Sequence, residues 1–250
     1  MIATLSSICR HPVKSLGEEV LDTVTLTSGR HMPFDRTWAV CHGGSEFDPE
    51  NPVWVKPRNF VNQAFVPTLA RIRTSYDEER RLLTLEHPDA DQIKIDPDHD
   101  GDAICDWLLP LAQDRRAGPY RLARLPEGGL TDFKDTHLAI NSTRSLAVLE
   151  DACQTTLHHG RFRGNLWLDG LDPWQEFEWI DREITIGNVQ LRITDRIARC
   201  NATTANPETG MRDVPVLEIL QERWDHMDFG IYAQVVSGGR LRTGDPVLLH

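Results

Sequence analysis

The chain has 250 residues, of which 40% are hydrophobic and 26% charged, as is usual for a globular protein with a substantial core. Its formal net charge of −11 argues against non-specific binding to nucleic acid or to anionic membranes, although it does not exclude a local basic pocket. The N-terminus has no basic region followed by a long apolar run, so we expect neither a signal peptide nor a membrane span and predict a cytoplasmic protein.

Short strands separated by glycine or proline turns dominate the pattern before residue 100. Alternating apolar and polar residues predict strands over 2–9, 19–27 and 35–41, and a hairpin made of 69–75 and 82–87. Apolar residues at helical spacing then predict a helix over 103–112. The acidic run 96–102 contains a proline and lacks a closing glutamate, so we expect a solvated turn there rather than a calcium site.

The pattern pauses at residues 115–119, which predicts two domains, 1–118 and 119–250, with N-terminal strands able to contribute across the boundary. A hairpin turn is expected at 237–240. Beyond the boundary we predict strands over 120–125, 183–186, 189–197 and 229–236, and helices over 144–157 and 214–224. A short apolar run occupies 166–168. Many short strands and few helices favour a mostly β protein of the α+β class with barrel-like architecture.

One cysteine has an unusual setting at the end of the predicted strand 189–197. Cys200 follows Arg199 and precedes a polar, hydroxyl-rich run that closes on the turn sequence Asn-Pro-Glu-Thr-Gly at 206–210. A packed, inert thiol is the usual state of a free cysteine. Here the neighbouring guanidinium favours the thiolate, which is a nucleophile or a soft metal ligand. The sequence therefore predicts a reactive or metal-binding thiol.

Other cysteine and histidine chemistry has less support. Five scattered cysteines are expected to be reduced thiols. No Cys-x-x-Cys or His-Glu-x-x-His occurs, and the pairs Cys9–His11 and Cys41–His42 lack an obvious second half, so no structural zinc site is expected. A cysteine hydrolase would need a distant histidine base. The two histidines at 158–159 follow a predicted helix and are expected to cap its last carbonyls.

Cationic side chains recur at predicted strand and loop ends, where together they could form a cradle for an anion such as a phosphate. Singly, each is more often a solvated surface residue, and Asp35 could equally form a local ion pair with Arg36. A hydroxyl at Ser142 or Thr143 can cap the predicted helix, whose N-terminus is a further place for an anion. The candidates are Lys14 with Ser15, Arg36, Ser142 with Thr143, Arg163 with Asn165, and Arg199.

Six motifs occur along nearly the whole chain. They are His-Pro-Val-Lys-Ser at 11–15, Asp-Arg-Thr-Trp at 35–38, Arg-Phe-Arg-Gly-Asn at 161–165, Arg-Cys-x-x-Thr-Thr-x-x-Pro-x-Thr-Gly at 199–210, Phe-Gly-x-Tyr at 229–232 and Gly-Asp-Pro-Val at 244–247. In this order they resemble the MOSC-domain family, and within it the proteins with an N-terminal MOSC_N β-barrel domain, such as the mitochondrial amidoxime-reducing components and their bacterial counterparts. The cysteine motif is the most specific part of the resemblance.

The resemblance implies a MOSC-type β-barrel, residues 119–250, preceded by a smaller MOSC_N-like barrel, residues 1–118. It also implies a molybdenum cofactor, Mo-molybdopterin, with Cys200 as both metal ligand and catalytic residue. Pyridoxal phosphate is not expected. The residues that would hold the cofactor are Lys14, Ser15, Arg36, Ser142, Thr143, Arg163, Asn165, Arg199 and Tyr232.

The activity that the resemblance implies is reduction of N-hydroxylated compounds such as amidoximes and hydroxylamines. Because the chain has no ferredoxin-like cysteine cluster, we expect electrons from a separate ferredoxin-, flavodoxin- or cytochrome-type protein, and neither a nucleic-acid nor a membrane partner. Two alternatives stay open at this point. One is a sulfur-transfer protein with a persulfide on Cys200, and the other is a non-catalytic protein that binds or carries the cofactor.

Overall fold

Strands dominate the residues that the computed structural model describes, 3–135 and 138–250. In these ranges the strands are β1 (Thr4–Arg10), β2 (Glu19–Leu21), β3 (Thr23–Leu26), β4 (Trp38–Cys41), β5 (Arg73–Asp77), β6 (Leu82–His87), β7 (Ala90–Ile95), β8 (Arg121–Arg124), β9 (Leu138–Ser142), β10 (Leu166–Asp169), β11 (Glu183–Ile186), β12 (Val189–Ala198), β13 (Asp228–Ser237), β14 (Gly239–Arg242) and β15 (Val247–Leu249). The α-helices in the same ranges are α1 (Gly101–Ala112), α2 (Thr143–Cys153) and α3 (Val216–Trp224). The predicted fold class, mostly β with a few helices, is confirmed.

The largest sheet in the described residues has the strand order β15-β11-β12-β13-β9-β10-β1-β2, with β9 and β10 parallel and the other neighbours antiparallel. It closes on itself because β1 also bonds the segment that leads into β15. Leu5 N donates to Asp245 O (2.9 Å), and Val247 N donates to Ala3 O (2.8 Å). The first two strands of the chain, β1 and β2, therefore belong to a sheet otherwise made from the second half.

Alternation of side chains explains how this barrel fills its interior. In β12, Val189, Leu191 and Ile193 are buried in the barrel core, while Gln190 and Arg192 between them are more exposed. Successive side chains of a strand point to opposite faces, so one face of β12 enters the core and the other meets solvent. The same core receives apolar side chains from β1, β9, β10 and β13. Period-two patterning in the sequence thus specifies the barrel core.

A second core lies in the first half of the chain. Trp38 from β4, Leu83 from β6 and Leu108 from α1 are buried there, beside the three-stranded sheet β5-β6-β7. The strand β8 pairs with β4, and Leu122 of β8 packs on this core although it follows the predicted boundary. Hydrogen bonds of β1 and β8 therefore join the two halves. The boundary after residue 118 stays a prediction.

Some local predictions were wrong for reasons that the tertiary structure explains. The chain does not form a hairpin at 237–240, because β14 pairs with β3 instead of with β13. A Cβ at Gly238 would lie 2.5 Å from Leu26 O, so the glycine allows the chain to cross close to β3. Helix α2 ends at Cys153 rather than at residue 157, because Gln154 adopts the left-handed conformation, φ +53°.

The length and apolar character of a helix decide whether it can cross a membrane. Across residues 3–135 and 138–250, no helix combines the length and the apolar character needed to cross a bilayer.

A buried carboxyl group lies beside the start of α2. Glu176 is 0% exposed, and its Oε2 accepts a hydrogen bond from Ser145 Oγ (2.9 Å). Its Oε1 is shielded from solvent and has no hydrogen-bond partner among the described residues. Burial raises the pKa of Glu176 from its ordinary value of 4.5 to about 7, although the Ser145 hydroxyl acts in the opposite direction. The folded protein therefore favours the protonated acid.

We expect Glu176→Gln to stabilise the protein at pH 8 and to have little effect at pH 4.5. Between pH 4.5 and about 7 the folded state holds a proton on Glu176 that the unfolded state has lost, so stability falls as pH rises through this window. One pKa unit corresponds to about 1.4 kcal/mol, so the variant should gain on the order of 1–3 kcal/mol at pH 8. Denaturant unfolding at several pH values measures this. Exposed Glu178→Gln is the matched control, and equal pH profiles for the two variants would contradict the prediction.

Candidate functional site

Cys200 lies just beyond the end of β12, at the start of a short 3-10 helix, Asn201–Thr204. Its side chain is exposed and lines a cavity of about 470 Å³. The carbonyl of Cys200 accepts hydrogen bonds from Thr203 N (3.1 Å) and Thr203 Oγ1 (3.0 Å), which hold the backbone next to the thiol. Unlike a packed thiol, Cys200 is therefore accessible to a ligand.

The turn predicted after the cysteine is present. Gly210 N donates to Asn206 O (2.8 Å), Asn206 Oδ1 accepts from Glu208 N (2.7 Å), and Gly210 has φ +69°. Arg161, which is buried, spans to this loop with bonds from Nη2 to both Asp213 carboxylate oxygens (2.8 and 2.7 Å). This ion pair links the buried arginine to the segment that follows the turn. The turn and the ion pair thus both restrain the loop that carries Cys200.

Arg199 joins three parts of the barrel rather than facing a ligand freely. Its Nε donates to Phe229 O (2.8 Å), its Nη1 to Phe162 O (2.6 Å) and its Nη2 to Asn141 Oδ1 (2.9 Å). Burial lowers the pKa of Arg199 to about 10, which leaves it charged at neutral pH. Its main observable contribution is to clamp the end of β12 beside β9 and β13, and so to position Cys200.

Two further cations line the cavity in ion pairs. Lys14 Nζ lies 2.6 Å from Asp132 Oδ1, and Lys14 lowers the pKa of Asp132 to about 2. Arg36 pairs with buried Asp35, the local ion pair that the sequence allowed, and its Nη2 donates to Arg163 O (2.9 Å). Burial opposes the charge on Arg36, but Asp35 and Asp132 together outweigh burial, and the pKa of Arg36 is raised.

Arg163 is a cavity cation with one donor nitrogen that lacks a partner in the part of the chain that the structure describes. Its Nη1 donates to Gly17 O (3.1 Å), but its Nη2 is shielded from solvent without a hydrogen-bond partner in the described ranges. Burial and the nearby Arg36 lower the pKa of Arg163 to about 10, so it remains charged at neutral pH. Unpaired buried donors are costly. An anionic ligand in the cavity would satisfy this one.

The formal charges around the cavity leave an excess of positive charge. Among the described residues, six cationic side chains line the cavity, namely Lys14, Arg36, Arg58, Arg161, Arg163 and Arg199, and four of them pair with the carboxylates of Asp132, Asp35, Glu46 and Asp213. This local excess of two exists in a chain whose formal net charge is −11. That the cavity binds an anion stays a prediction.

Left-handed backbone conformations recur at the same cavity. Ser15 has φ +66°, Arg36 has φ +51° and Arg163 has φ +48°. Residues other than glycine rarely adopt this region, which costs energy and is often found at functional sites. All three residues line the cavity, so strained backbone conformations occur at the same place as its cationic side chains.

Most of the predicted site residues meet at this one cavity. Those that line it are Lys14, Ser15, Arg36, Arg163, Asn165, Arg199, Cys200 and Tyr232. Asn165 is nearly fully buried, and its Oδ1 accepts from Ala139 N (3.0 Å). The Tyr232 ring makes an edge contact with Phe133, with centroids 5.3 Å apart, and burial raises the pKa of Tyr232. The phenol is therefore protonated at neutral pH.

Two predicted residues do not line the cavity. Ser142 is fully buried, and its Oγ accepts from Ser145 N (3.2 Å), so it is the helix cap that the sequence predicted. Thr143 Oγ1 donates to Asp169 Oδ1 (2.6 Å). Their hydroxyl groups are thus engaged in other contacts, and a role in binding an anion stays a prediction without support from this geometry.

Asp132 is the cavity residue that sequence reasoning missed. It follows a glycine-rich turn and has no motif of its own, and its partner Lys14 is 118 positions away in the chain. Its exposed side chain and its neighbour Phe133 form one wall of the cavity. The sequence contains no local signal that would have identified this pairing.

The described residues thus form a mostly β protein with an exposed cysteine at the wall of a cavity lined by cations. Two family models match the chain. The MOSC domain matches residues 117–248, and the MOSC N-terminal beta barrel domain matches residues 2–108. The chain therefore belongs to the MOSC-domain family.

Relatives share limited identity with the chain. "Molybdenum cofactor sulfurase 2" of Culex quinquefasciatus is 26% identical over 98% of this chain and 36% of its own length. "Mitochondrial amidoxime-reducing component 1" of Homo sapiens is 30% identical over 60% of this chain and 51% of its own length. The chain thus spans between about a third and a half of these relatives. The crystal structure of the YuaD protein from Bacillus subtilis has a TM-score of 0.51 at 12% identity, with 99% of this chain and 94% of that one covered, which shows a common fold.

Proposed function

We propose that the protein is a molybdenum-cofactor-dependent oxidoreductase that reduces N-hydroxylated compounds such as amidoximes and hydroxylamines. The observation that carries the proposal is an exposed cysteine at the wall of a cavity with excess positive charge. The similarity to a protein named for amidoxime reduction supports this choice of reaction, and membership of the MOSC-domain family supports this type of site.

The residues of the cavity fit such a cofactor. A molybdopterin carries an anionic phosphate and a soft metal centre, and thiolate is a suitable ligand for soft metals. The shielded, unpartnered Nη2 of Arg163 is a donor that the phosphate would satisfy. Cys200 would bind the metal, while Lys14, Ser15 and Arg36 would hold the remainder. When bound, the cofactor supplies two-electron oxygen-atom chemistry, which the protein side chains themselves lack.

The chain's own contribution to the reaction is positioning and electrostatics. Reduction of an amidoxime breaks the N–O bond, consumes two electrons and two protons, and releases the oxygen as water. The Tyr232 phenol lines the cavity in its protonated form and can donate a hydrogen bond to a polar substrate. Asp132 is held ionised by Lys14, so it can orient a cationic amidine product. We propose that electrons come from a separate electron-transfer protein of the ferredoxin, flavodoxin or cytochrome type.

The test is molybdenum content together with turnover. We expect protein from a cofactor-competent host to contain about one molybdenum per chain by elemental analysis, since the chain has one such cysteine motif. It should then convert an aromatic amidoxime to the amidine with a chemical reductant as electron source. Protein from a host that cannot make the cofactor is the control. Metal-free protein that cannot be reconstituted would refute the proposal.

A second candidate is sulfur transfer, with Cys200 carrying a persulfide. The exposed thiol favours it, and so does similarity over 98% of the chain to a protein named molybdenum cofactor sulfurase. A persulfide would appear in mass spectrometry as an extra sulfur on Cys200 that a reductant removes. Full molybdenum occupancy without turnover, given a competent electron source, would instead indicate a cofactor-carrying protein.

A further inference from the structure

A cluster of metal-ligating side chains lies outside the cavity of Cys200. Cys9 of β1, Glu18 just before β2, and His159 at the start of the 3-10 helix His159–Phe162 converge, although His159 is distant in sequence from the other two. The Cys9 thiol, a Glu18 carboxylate oxygen and a His159 ring nitrogen all lie within 4.8 Å of one another. Three donors of different softness therefore point at one small volume.

The polar atoms of this cluster lack adequate partners in the described residues. Glu18 Oε2 and His159 Nδ1 are both shielded from solvent without a hydrogen bond, and His159 Nδ1 lies 3.7 Å from Glu18 Oε1. Cys9 is fully buried, and its sulfur has one weak contact, with Ser7 Oγ at 3.6 Å. Buried polar atoms are normally satisfied, so a group of unsatisfied ones requires an explanation. A bound cation would supply one.

A second histidine, His11, lies next to the cluster on the side of Glu18. His11 is 0% exposed, and its unpartnered Nε2 lies 3.4 Å from Glu18 Oε2. On its other side, His11 Nδ1 lies 3.4 Å from Asp35 Oδ1. Carboxylates that bind metals are commonly held in place by a neighbouring hydrogen-bonding group. His11 is thus positioned to hold the Glu18 carboxylate in place.

We propose that Cys9, Glu18 and His159 bind a divalent transition-metal ion of the zinc class. Thiolate, imidazole and carboxylate are the ligand types that zinc takes in proteins. The thiolate and the carboxylate together offset the double positive charge of the ion. Ligand atoms around tetrahedral zinc lie roughly 3.3–3.8 Å apart, from bond lengths of about 2.0–2.3 Å. The three side chains need only close in by about 1 Å.

A cleft adjoins the cluster on the side of Glu18 and His159, from which a fourth ligand would come. Glu18 and His159 line a cleft of about 840 Å³ that also contains Gly160 and His158. The expected helix-capping role of His158 is wrong, because its Nδ1 accepts from Gly160 N (3.0 Å) within its own loop. A water molecule or a small ligand from the cleft can therefore complete the shell. The site does not depend on molybdenum, because neither Cys200 nor Lys14 belongs to this cleft.

Metal binding at this site would also restrain a chain segment that lines the cavity of Cys200. The 3-10 helix that begins at His159 leads directly to Arg161 and Arg163, both of which line the two clefts. A metal bond to His159 would join this segment to β1 and to the residue before β2. Metal binding adds to folding stability when the site is absent in the unfolded chain. We therefore expect zinc to raise the melting temperature.

Cobalt titration tests the site, since cobalt(II) bound to thiolate gives a near-ultraviolet charge-transfer band. The full chain, stripped with a chelator, is titrated in the wild-type and Cys200→Ser forms, so that the exposed cysteine cannot account for the band. We expect one equivalent of cobalt(II) to bind to each of the two proteins, and we expect zinc to displace the cobalt. The band should vanish in Cys9→Ser, and the affinity should fall by at least about tenfold in Glu18→Gln and His159→Gln.

Cys153→Ser is the matched control, because Cys153 lies at the end of α2 outside both clefts, and it should keep the band. The His159 side chain is 36% exposed, so we expect His159→Gln to fold. This variant therefore tests the site even if Cys9→Ser does not fold. Zinc should raise the melting temperature of the wild type but not of His159→Gln. The proposal is overturned if Cys200→Ser shows no band, or if the band survives in Cys9→Ser.

Discussion

Replacing Cys200 by serine is expected to abolish amidoxime reduction and to lower molybdenum content by at least about tenfold, because serine removes the soft ligand. The fold should be unaffected, since the Cys200 side chain is exposed and contributes no core packing. Elemental analysis and turnover with a chemical reductant measure the two losses, and circular dichroism with thermal unfolding checks the fold.

The matched control for this experiment is again Cys153→Ser, which changes a partly buried thiol that does not line the cavity. It should retain molybdenum and turnover. Unchanged turnover in Cys200→Ser would remove Cys200 from its proposed role. Loss of a labile sulfur from the variant, in protein that never contained molybdenum, would favour the sulfur-transfer function instead.

Gly230→Ala is expected to destabilise the protein by about 3 kcal/mol or more. Gly230 lies in β13 with φ +78°, and a Cβ there would collide with Asn141 Oδ1 and lie 2.6 Å from Ile140 O. The backbone oxygen cannot move without disturbing the pairing of β9 with β13. Because Asn141 Oδ1 also accepts from Arg199, we expect the clamp behind Cys200 to loosen as well.

The control for Gly230→Ala is Gly29→Ala. Gly29 has a similar φ of +67°, but a Cβ there meets no atom within 4 Å. Gly29→Ala should lower the free energy of unfolding by about 1 kcal/mol, because only the backbone conformation is strained. Denaturant unfolding of both variants separates steric collision from conformational strain. Equal losses in the two would show that close packing at Gly230 is not the reason for the glycine.

The resemblance and the local patterns predicted the main parts of the site. Alternation located β12, turn residues identified the loop from Asn206 to Gly210, and Cys200 was singled out by its polar neighbours. These features depend on residues close together in the chain. Local backbone preferences and side-chain periodicity decide them, so a single sequence is sufficient.

The same reasoning failed where contacts span the chain. The spacing of Cys9 and His11 gave no second half for a metal site, yet the fold brings Glu18 and His159 to Cys9. Likewise, nothing near Lys14 indicates Asp132 as its partner. Such pairings depend on which strands become neighbours, as when β1 joins the barrel of the second half or β14 pairs with β3.

Short-range sterics and periodic burial therefore explain why the sequence indicates β12, the turn from Asn206 to Gly210 and the cysteine motif, while β7 and β9 had no predicted counterpart. That Lys14, Arg36 and Arg163 meet at the cavity of Cys200, and that Asp132 pairs with Lys14, depends on the tertiary structure. The physical reason is that strand order and barrel closure result from burial of the whole core. No local segment of the chain carries that information.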